Sequence, residues 1–265
     1  MRVTMLLDNI AADPRLAAEH GLSLYIETEK HRILFDTGQS DVFARNAEML
    51  GIDLSAVDIA FLSHGHYDHS GGLARFFELN SHACVYMHGG AFERHIHEDG
   101  REIGIDSSLL GNNRIRFTDG QLFINDELSL DSCNERERPF ASYGEGLLML
   151  RNGQPVQDDF RHEHYLSIRE AGSGRHVVIS GCSHKGILNI MGWLEPDALI
   201  GGFHFMGLDP QGEGKAALDH AAEALARHDC TYFTCHCTGK KQFDYLKGKL
   251  GDRLHYLAGG MSVEL

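Results

Sequence analysis

Short apolar runs alternate with segments of helical spacing along most of the chain, with few residues between them. This alternation predicts an α/β protein built from packed layers of sheet and helix. The predicted strands lie at 2–8, 22–28, 31–35, 59–62, 83–87, 165–170, 175–180, 198–200, 231–234 and 253–257, the last of which we expect to close the chain. The predicted helices lie at 40–50, 71–79, 89–97, 185–194, 214–228 and 241–250.

The pattern weakens between about 98 and 160, where Gly, Asn, Asp, Arg and Glu become frequent. Short strands are predicted near 114–117, 121–124 and 146–150, separated by polar loops. We therefore expect a single domain over 1–265, in which 98–160 is a less regular insert that walls the functional site.

A faint internal repeat relates the two halves of the chain. Each half has a hairpin, a helix and a further strand, so that Cys182 corresponds to Asp36 and His204 to His64. If a pseudo-twofold axis relates the halves, the strand ends converge on one cleft between two packed sheets.

Apolar residues make up 42% of the chain and charged residues 23%, which is typical of a soluble globular protein. No apolar run approaches the roughly 20 residues that cross a bilayer. The segment 1–8 is predicted as a strand rather than a signal peptide, so we expect a cytoplasmic location. The six cysteines are expected to be reduced thiols.

The net charge of −14 disfavours nucleic acid as a partner, because a phosphate backbone needs a basic surface. A small-molecule substrate, including an anionic one, remains compatible with this charge, since bound metal ions can reverse the local field. No membrane partner is expected, and the sequence does not define an oligomeric state.

The strongest chemical signal is the segment His64-Gly65-His66-Tyr67-Asp68-His69, which follows the apolar strand at 59–62. Four possible metal ligands in six residues lie where a buried strand ends. Neutral imidazole binds zinc and other first-row metals, and a carboxylate compensates their charge. Gly65 permits the tight backbone that such a loop requires. The segment therefore predicts a metal site.

This motif, extended to Ser-Gly-Gly at 70–72, resembles that of the metallo-β-lactamase superfamily, and the likeness spans most of the chain through the order of elements. The resemblance implies a four-layer αββα sandwich and two divalent metal ions, zinc first, with Mn or Fe as alternatives. It also implies that Asp36, in Leu34-Phe35-Asp36-Thr37-Gly38, supports the histidine loop by hydrogen bonding.

The same resemblance suggests ligands further along the chain, each after an apolar strand. Cys182 is either a thiolate ligand or a buried apolar residue. His184 and His236 are candidate imidazole ligands, whereas Cys235 and Cys237 are expected to pack in the core. His204 is a ligand, a donor to negative charge in the transition state, or a core histidine.

One segment departs from the superfamily pattern. Most members carry a His-x-Pro-Gly-His-like segment before the second hairpin, and this chain has Asp-Asp-Phe-Arg-His-Glu-His at 158–164 instead. Either His184 takes the missing ligand position, or one of Asp159, His162 and His164 does.

These assignments predict that His64, His66 and His184 bind one metal and that Asp68, His69 and His236 bind a second, with Cys182 between or beside them. The expected activity is hydrolysis of a small ester, phosphoester or lactone, with Asp68 as proton acceptor. The segment 181–189 resembles a subgroup similar to archaeal dihydropterin ribofuranosyl-aminobenzene phosphate synthases, which makes a transferase the alternative. A di-iron redox or sensor protein is a third reading, although redox members of the superfamily typically have Glu in place of His66.

Overall fold

The computed structural model describes residues 1–265, which form 17 strands and six α-helices. The strands are β1 (Arg2–Leu7), β2 (Ser23–Glu27), β3 (Arg32–Phe35), β4 (Ile59–Phe61), β5 (Cys84–His88), β6 (His95–His97), β7 (Ile115–Thr118), β8 (Leu122–Phe123), β9 (Leu128–Asp131), β10 (Leu147–Arg151), β11 (Gln154–Gln157), β12 (Tyr165–Arg169), β13 (His176–Ile179), β14 (Ala198–Gly201), β15 (Thr231–Thr234), β16 (Leu254–Tyr256) and β17 (Ser262–Glu264). The helices are α1 (Val42–Met49), α2 (Tyr67–Ser70), α3 (Leu73–Leu79), α4 (Ile187–Leu194), α5 (Lys215–Leu225) and α6 (Lys240–Leu250).

Two seven-stranded sheets form the centre of the molecule. The first has the order β17-β1-β2-β3-β4-β5-β7, and the second has the order β16-β15-β14-β13-β12-β9-β8. In each sheet an antiparallel hairpin, β2–β3 or β12–β13, is followed by parallel pairing to the next strands along the chain. In each sheet the carboxyl ends of the parallel strands therefore lie side by side at one edge.

The side-chain alternation of the strands builds three apolar cores. In β3, Ile33 and Phe35 face the second sheet, whereas Leu34 packs with helices α1 and α3. In β13, Val177 and Ile179 face the first sheet, and Val178 packs with helices α4 to α6. One core between the sheets and one outside each sheet make four layers in the order helix, sheet, sheet, helix. The predicted αββα sandwich is confirmed.

Three predictions about the elements were wrong. Residues 89–97 are not a helix: Gly89–Phe92 form a 3-10 turn and His95–His97 form strand β6, which pairs with β10. The chain does not close at 253–257, because β17 follows and pairs with β1 at the edge of the first sheet.

The region 98–160 is also more regular than predicted. β7 completes the first sheet, and β8 and β9 complete the second. A separate three-stranded sheet of order β11-β10-β6 lies outside the sandwich. The strands β9 and β11 were missed.

No helix combines enough length and apolar character to cross a bilayer. All six cysteines are free of disulfide bonds.

Candidate metal centre

The histidine loop leaves the carboxyl end of β4, the strand that follows the hairpin β2–β3 and pairs with β3. Helix α2 begins immediately after His66 and brings Asp68 and His69 back toward the strand end. The backbone here is closely packed: a Cβ at Gly65 would lie 2.2 Å from the carbonyl oxygen of Ala91. Only glycine fits at that position, as the sequence suggested.

Asp36, which follows β3, joins three groups of this loop through its fully buried carboxylate. Oδ1 accepts a hydrogen bond from the backbone N–H of Ser63 (2.7 Å), and Oδ2 accepts from Ser63 Oγ (2.7 Å) and His69 Nδ1 (2.6 Å). Ser63 Oγ in turn contacts His64 Nδ1 at 2.8 Å. Asp36 thus orients two imidazoles of the loop.

The structure brings all seven sequence-predicted ligand candidates together in two buried groups at the junction of the sheets. Within each group, the possible ligand atoms lie within 4.8 Å of one another. The first group is His64, His66 and His184, and the second is Asp68, His69, Cys182 and His236. Cys182 and His184 follow β13, and His236 follows β15, so each group draws on both sheets.

Hydrogen-bond partners fix which nitrogen of His64 faces the first group. A carboxylate only accepts hydrogen bonds, so Ser63 Oγ donates its hydrogen to Asp36. Because that hydrogen is used, the contact between Ser63 Oγ and His64 Nδ1 requires His64 Nδ1 to be the donor. His64 Nε2 is therefore a bare acceptor, and it lies 3.2 Å from His184 Nε2. Two donors to one tetrahedral cation lie roughly 3.3 Å apart, given bonds of 2.0–2.1 Å.

The second group shows the same design. His69 Nδ1 donates to Asp36 and His236 Nδ1 donates to Asn9 Oδ1 (2.8 Å), which leaves both Nε2 atoms bare in the neutral rings. His236 Nε2 lies 3.2 Å from Asp68 Oδ2, although neither atom then carries a hydrogen. His69 Nε2 lies 3.1 Å from Cys182 Sγ. His69 Nε2 can accept from the Cys182 thiol, whereas His236 Nε2 and Asp68 Oδ2 are acceptors that face each other in a buried site. Facing acceptors of this kind are the donor set of a cation, and the residues fit divalent metal ions.

The protonation states of Asp68, His64, His184 and His236 suit that role. Burial raises the pKa of Asp68, but the neighbouring imidazoles of His69, His20 and His236 outweigh it and hold the pKa well below its usual range. Burial lowers the pKa of His64 and of His184, and it lowers that of His236 to about 4, so these imidazoles are neutral at pH 7. Neutral imidazole and ionised carboxylate are the metal-binding forms. Burial lowers the pKa of His69, but the carboxylates of Asp36 and Asp68 outweigh it and raise the pKa, so cation binding would displace a proton from the protonated form of this ring.

Cys182 differs from the other members of its group. Burial and the nearby Cys237 and Asp68 raise the pKa of its thiol well above the ordinary value. Since a thiolate is the metal-binding form, ligation by Cys182 would release a proton. Cys235 packs in the core between the sheets, and Cys237 Sγ contacts the carbonyl oxygen of Cys182 at 3.4 Å. Neither belongs to the two groups described above, and the expectation that they pack rather than bind metal stays a prediction.

Sequence reasoning missed three residues that support the second group. His20 Nε2 lies 3.2 Å from Asp68 Oδ2, and its ring centroid lies 4.8 Å from that of His236 with the rings tilted by 46°. Asp8, at the end of β1, accepts the backbone N–H of His236 (2.6 Å), and burial raises the pKa of Asp8 to about 6. Asn9 holds the other side of the His236 ring. All three lie in the loop after β1, which has no motif to mark it.

His204 lies at the edge of the site rather than in either group. Its Nδ1 donates to the carbonyl oxygen of Tyr143 (2.6 Å), and its ring lies 4.4 Å from that of His184. Burial lowers the pKa of His204, so the ring is neutral and its Nε2 carries no hydrogen. With Nδ1 occupied, the neutral ring offers Nε2 as an acceptor, and the three predicted roles of His204 stay predictions.

The four residues considered for the missing ligand position, His184, Asp159, His162 and His164, lie in different surroundings in the structure. His184 lies with His64 and His66, whereas His162 lies in a neighbouring group that also contains His66. Asp159 is partly exposed and pairs with Arg151 at 2.9 Å. His164 is buried beside Thr118 and His88, outside every metal-binding group.

Four of the eight non-glycine residues with a positive φ angle lie at or after the strand ends around the candidate metal centre. Asp36, Ser183, His204 and His236 have positive φ angles between 45° and 59°. Non-glycine residues adopt this left-handed region at a cost of about 1–2 kcal/mol each. Such strain at four strand ends is typical of functional sites.

A cavity of about 980 Å³ opens onto both groups. Arg101 is its single Lys or Arg, and Tyr67 and Tyr143 are its aromatic residues apart from the histidines. Residues between 98 and 160 contribute one wall, formed by Arg101, Ile103, Tyr143, Glu145 and Leu147. A cavity of this size accommodates a small molecule.

Comparison with known proteins gives concordant results. Residues 17–130 match the family model of the metallo-β-lactamase superfamily. The chain is 31% identical over 255 residues to the 7,8-dihydropterin-6-methyl-4-(β-D-ribofuranosyl)-aminobenzene-5'-phosphate synthase of Methanocaldococcus jannaschii, covering 84% of this chain and 82% of that one. It is 29% identical over 248 residues to an uncharacterized protein of the same organism, covering 90% and 91%.

Among solved structures, Tm1679, described as a metal-dependent hydrolase of the β-lactamase superfamily, superposes with a TM-score of 0.85 at 29% identity. The match covers 100% of this chain and 99% of that one. The fold, the histidine loop at the strand end and these relatives agree, and the chain belongs to the metallo-β-lactamase superfamily.

Proposed function

We propose that this protein is a hydrolase that uses two divalent cations, zinc first, to cleave a small ester, phosphoester or lactone. One observation supports the proposal. Bare imidazole nitrogens, the Asp68 carboxylate and the Cys182 thiol converge in two adjoining groups, and a cavity opens onto both of them. A structural metal site is usually closed by its four ligands, whereas these groups face a space that a substrate can enter.

His64, His66 and His184 would hold one cation, and Asp68, His69 and His236 the other, with Cys182 beside them. Cations bound there would supply Lewis-acid polarisation of the substrate and activation of water at neutral pH. The protein would supply orientation: Asp36 fixes the rings of His64 and His69, and Asn9 fixes the ring of His236.

Two groups of the chain, the Asp68 carboxylate and the His204 imidazole, would accept a proton during hydrolysis. The Asp68 carboxylate lines the cavity and is ionised, with His20 and His236 beside it. His204 Nε2 is the second acceptor, because Nδ1 of that ring is occupied by Tyr143. A group that accepts a proton must lie within hydrogen-bond reach of the reacting atoms, and both residues line the cavity.

The size of the cavity fits a small substrate, and its lining combines apolar and cationic groups with the carboxylates of Glu145, Asp209 and Glu213. Tyr67, Ile103 and Leu147 offer apolar surface, and Arg101 offers the one cationic side chain that could pair with a phosphate or carboxylate.

Alanine substitution of ligands from the second sheet tests the proposal. The variants His184→Ala and His236→Ala should each lose about one equivalent of zinc and more than about 100-fold in kcat/KM, since ligand loss exceeds the effect of losing a supporting hydrogen bond. Zinc per chain would be measured by mass spectrometry after gel filtration, and turnover on a panel of phosphodiesters, lactones and carboxylic esters.

The matched control is His164→Gln, a buried histidine outside the metal-binding groups, which should keep both zinc and turnover. Full activity of His184→Ala and His236→Ala with unchanged zinc would refute the proposal.

A second candidate function is a transferase that condenses a pterin with a phosphorylated arylamine riboside. It is favoured by one observation, the 31% identity to the M. jannaschii synthase over most of both chains. In this reaction the cations would act as Lewis acids without water as nucleophile. Incubation of the zinc-loaded enzyme with a pterin pyrophosphate and the riboside would yield pyrophosphate and the joined product if the transferase assignment is right.

A further inference from the structure

Behind the candidate metal centre lies another buried group, made of His66, His95, Asp158 and His162. Its members are at most 4% exposed, and its possible ligand atoms lie within 4.8 Å of one another. His95 belongs to β6, and Asp158 and His162 lie between β11 and β12. Only His66 is shared with the candidate metal centre, so this group lies against one of its ligands.

Asp158 is the centre of this group. Its Oδ1 accepts the backbone N–H of Phe160 at 2.8 Å. Its Oδ2 lies 2.7 Å from His95 Nδ1, 3.3 Å from His162 Nε2 and 3.9 Å from His66 Nε2. A carboxylate only accepts hydrogen bonds, so each nitrogen that faces Oδ2 is stabilised when it carries a hydrogen.

The position of the hydrogen on His162 follows from its other contact. The backbone N–H of Gly65 donates to His162 Nδ1 at 2.9 Å, so the neutral ring carries its hydrogen on Nε2, toward Asp158. His95 likewise presents Nδ1 to Asp158 at hydrogen-bond distance. Asp158 thus has one hydrogen bond from His95 and two facing Nε2 atoms, of His162 at 3.3 Å and His66 at 3.9 Å, and its negative charge favours hydrogen on each of them, unlike the bare nitrogens of His64 and His236.

We infer that Asp158, anchored by His95 and His162, is a positioning residue for His66. Its Oδ2 lies 3.9 Å from His66 Nε2, where its negative charge favours the tautomer with hydrogen on Nε2 and so with a bare Nδ1. The inference rests on the proposed function in one respect, that His66 binds a cation. Histidines that bind metals commonly donate their second ring nitrogen to a carboxylate, which fixes the tautomer and raises the basicity of the ligand.

Asp158→Asn tests this role. The amide has no negative charge, and its NH2 group is itself a donor, so it no longer favours a hydrogen on each imidazole nitrogen that faces it. In the variant, the hydrogen of His66 should distribute between Nδ1 and Nε2. Zinc affinity at the site of His64, His66 and His184 should fall by about 10–100-fold, and affinity at the other site should stay within about twofold. General destabilisation would not produce this difference between the two sites.

The matched control is the adjacent Asp159→Asn. Asp159 lies at the surface and pairs with Arg151, so its substitution should leave both zinc affinities and the His66 tautomer as in the wild type. Affinities would be obtained by titration against a competing chelator.

Nitrogen-15 NMR of the metal-free protein reads the tautomer directly, with the His66 signal assigned by its loss in His66→Gln. The wild type should show hydrogen on Nε2 and a bare Nδ1. Hydrogen on Nδ1 in the wild type would overturn the inference, as would equal zinc affinities in Asp158→Asn and wild type. A zinc ion between Asp158, His95 and His162 in anomalous-scattering maps would overturn it too.

These outcomes are separable from failure of the proposed function. The NMR measurement needs neither metal nor substrate, and it decides the inference even if Asp158→Asn does not fold. A wild type that binds zinc as expected but hydrolyses nothing would contradict the proposed reaction and leave the positioning role intact.

Discussion

Asp36 illustrates how one buried carboxylate organises the candidate metal centre. It adopts a φ of 59° directly after β3, which turns its side chain toward the neighbouring strand end. There it receives hydrogen bonds from Ser63 and His69, and through Ser63 it also sets the ring of His64. The strain at Asp36 is offset by these bonds, because hydrogen bonds to a charged group contribute about 1.5–3 kcal/mol each.

We expect Asp36→Asn to weaken zinc binding by about 10–100-fold, since the amide has one oxygen for three donors and its NH2 group would face either Ser63 N–H or the pair Ser63 Oγ and His69 Nδ1. The protein should remain folded, with a free energy of unfolding lower by about 1–3 kcal/mol. Competition titration and urea unfolding would measure the two effects.

Asn80→Ala is a suitable control for that variant, because it removes buried hydrogen bonds to the carbonyl oxygens of Leu54 and Val57, away from the metal centre. It should lower stability without changing zinc affinity. Equal zinc affinity in Asp36→Asn and wild type would show that Asp36 serves the fold alone.

The sequence was informative about residues in a local motif and uninformative about residues brought in from elsewhere. His64, His66, Asp68 and His69 share one loop, and their spacing alone indicated metal chemistry. His20, His95 and Asp158 reach the site from segments without any motif, and only tertiary packing reveals them. The sequence around a single histidine in a loop does not indicate which residue that histidine will contact in the folded protein.

At the scale of elements, glycines allow the histidine loop to lie against neighbouring backbone. Cβ atoms at Gly65, Gly71 and Gly72 would lie 2.2–2.4 Å from carbonyl oxygens of Ala91, Gln39 and Thr37. These contacts involve backbone, which cannot move aside as a flexible side chain can. The glycines therefore fix the distance between the loop and the strand ends beside it.

Gly65→Ala should destabilise the protein by roughly 1–3 kcal/mol, because the added methyl group forces the loop away from Ala91. The same shift should displace His64 and His66 and weaken zinc binding. Gly192→Ala in helix α4 is the matched substitution, because a Cβ there has nothing within 4 Å. It should be neutral or stabilising by up to about 1 kcal/mol. Thermal unfolding would measure the stability of both variants. Equal stability of Gly65→Ala and Gly192→Ala would contradict the conclusion that the loop is closely packed at Gly65.

Sequence patterns correctly predicted the elements whose apolar and polar positions are set by burial in the cores beside them. Strands β3, β4, β13 and β14 are apolar on both faces because each is covered on both sides, and their runs were recognised. The segment 89–97 was wrongly predicted as helix, because β6 exists only through its pairing with β10, some 50 residues later. Strand β17 is likewise defined by its partner β1 at the opposite end of the chain.

On the scale of the whole molecule, the candidate metal centre joins the two sheets. His64, His66, Asp68 and His69 extend from the first sheet, and Cys182, His184 and His236 from the second. Hydrogen bonds already cross this junction, as between Asp8 and the backbone of His236. A cation bound to ligands from both sides would add a further link that the unfolded chain cannot form.

Chelation should therefore destabilise the protein by mass action, independently of any substrate. With zinc at 1,000 times its dissociation constant, bound metal contributes roughly 4 kcal/mol to the free energy of unfolding. For a chain of this size that corresponds to a fall in Tm on the order of 10 °C when zinc is removed. A variant with Cys182, His184 and His236 all replaced by alanine should show the same Tm with and without chelator, because it retains ligands from one sheet only. If chelator strips the zinc from the wild type and its Tm does not change, the cation does not connect the sheets, and the ligand set drawn from both sheets is wrong.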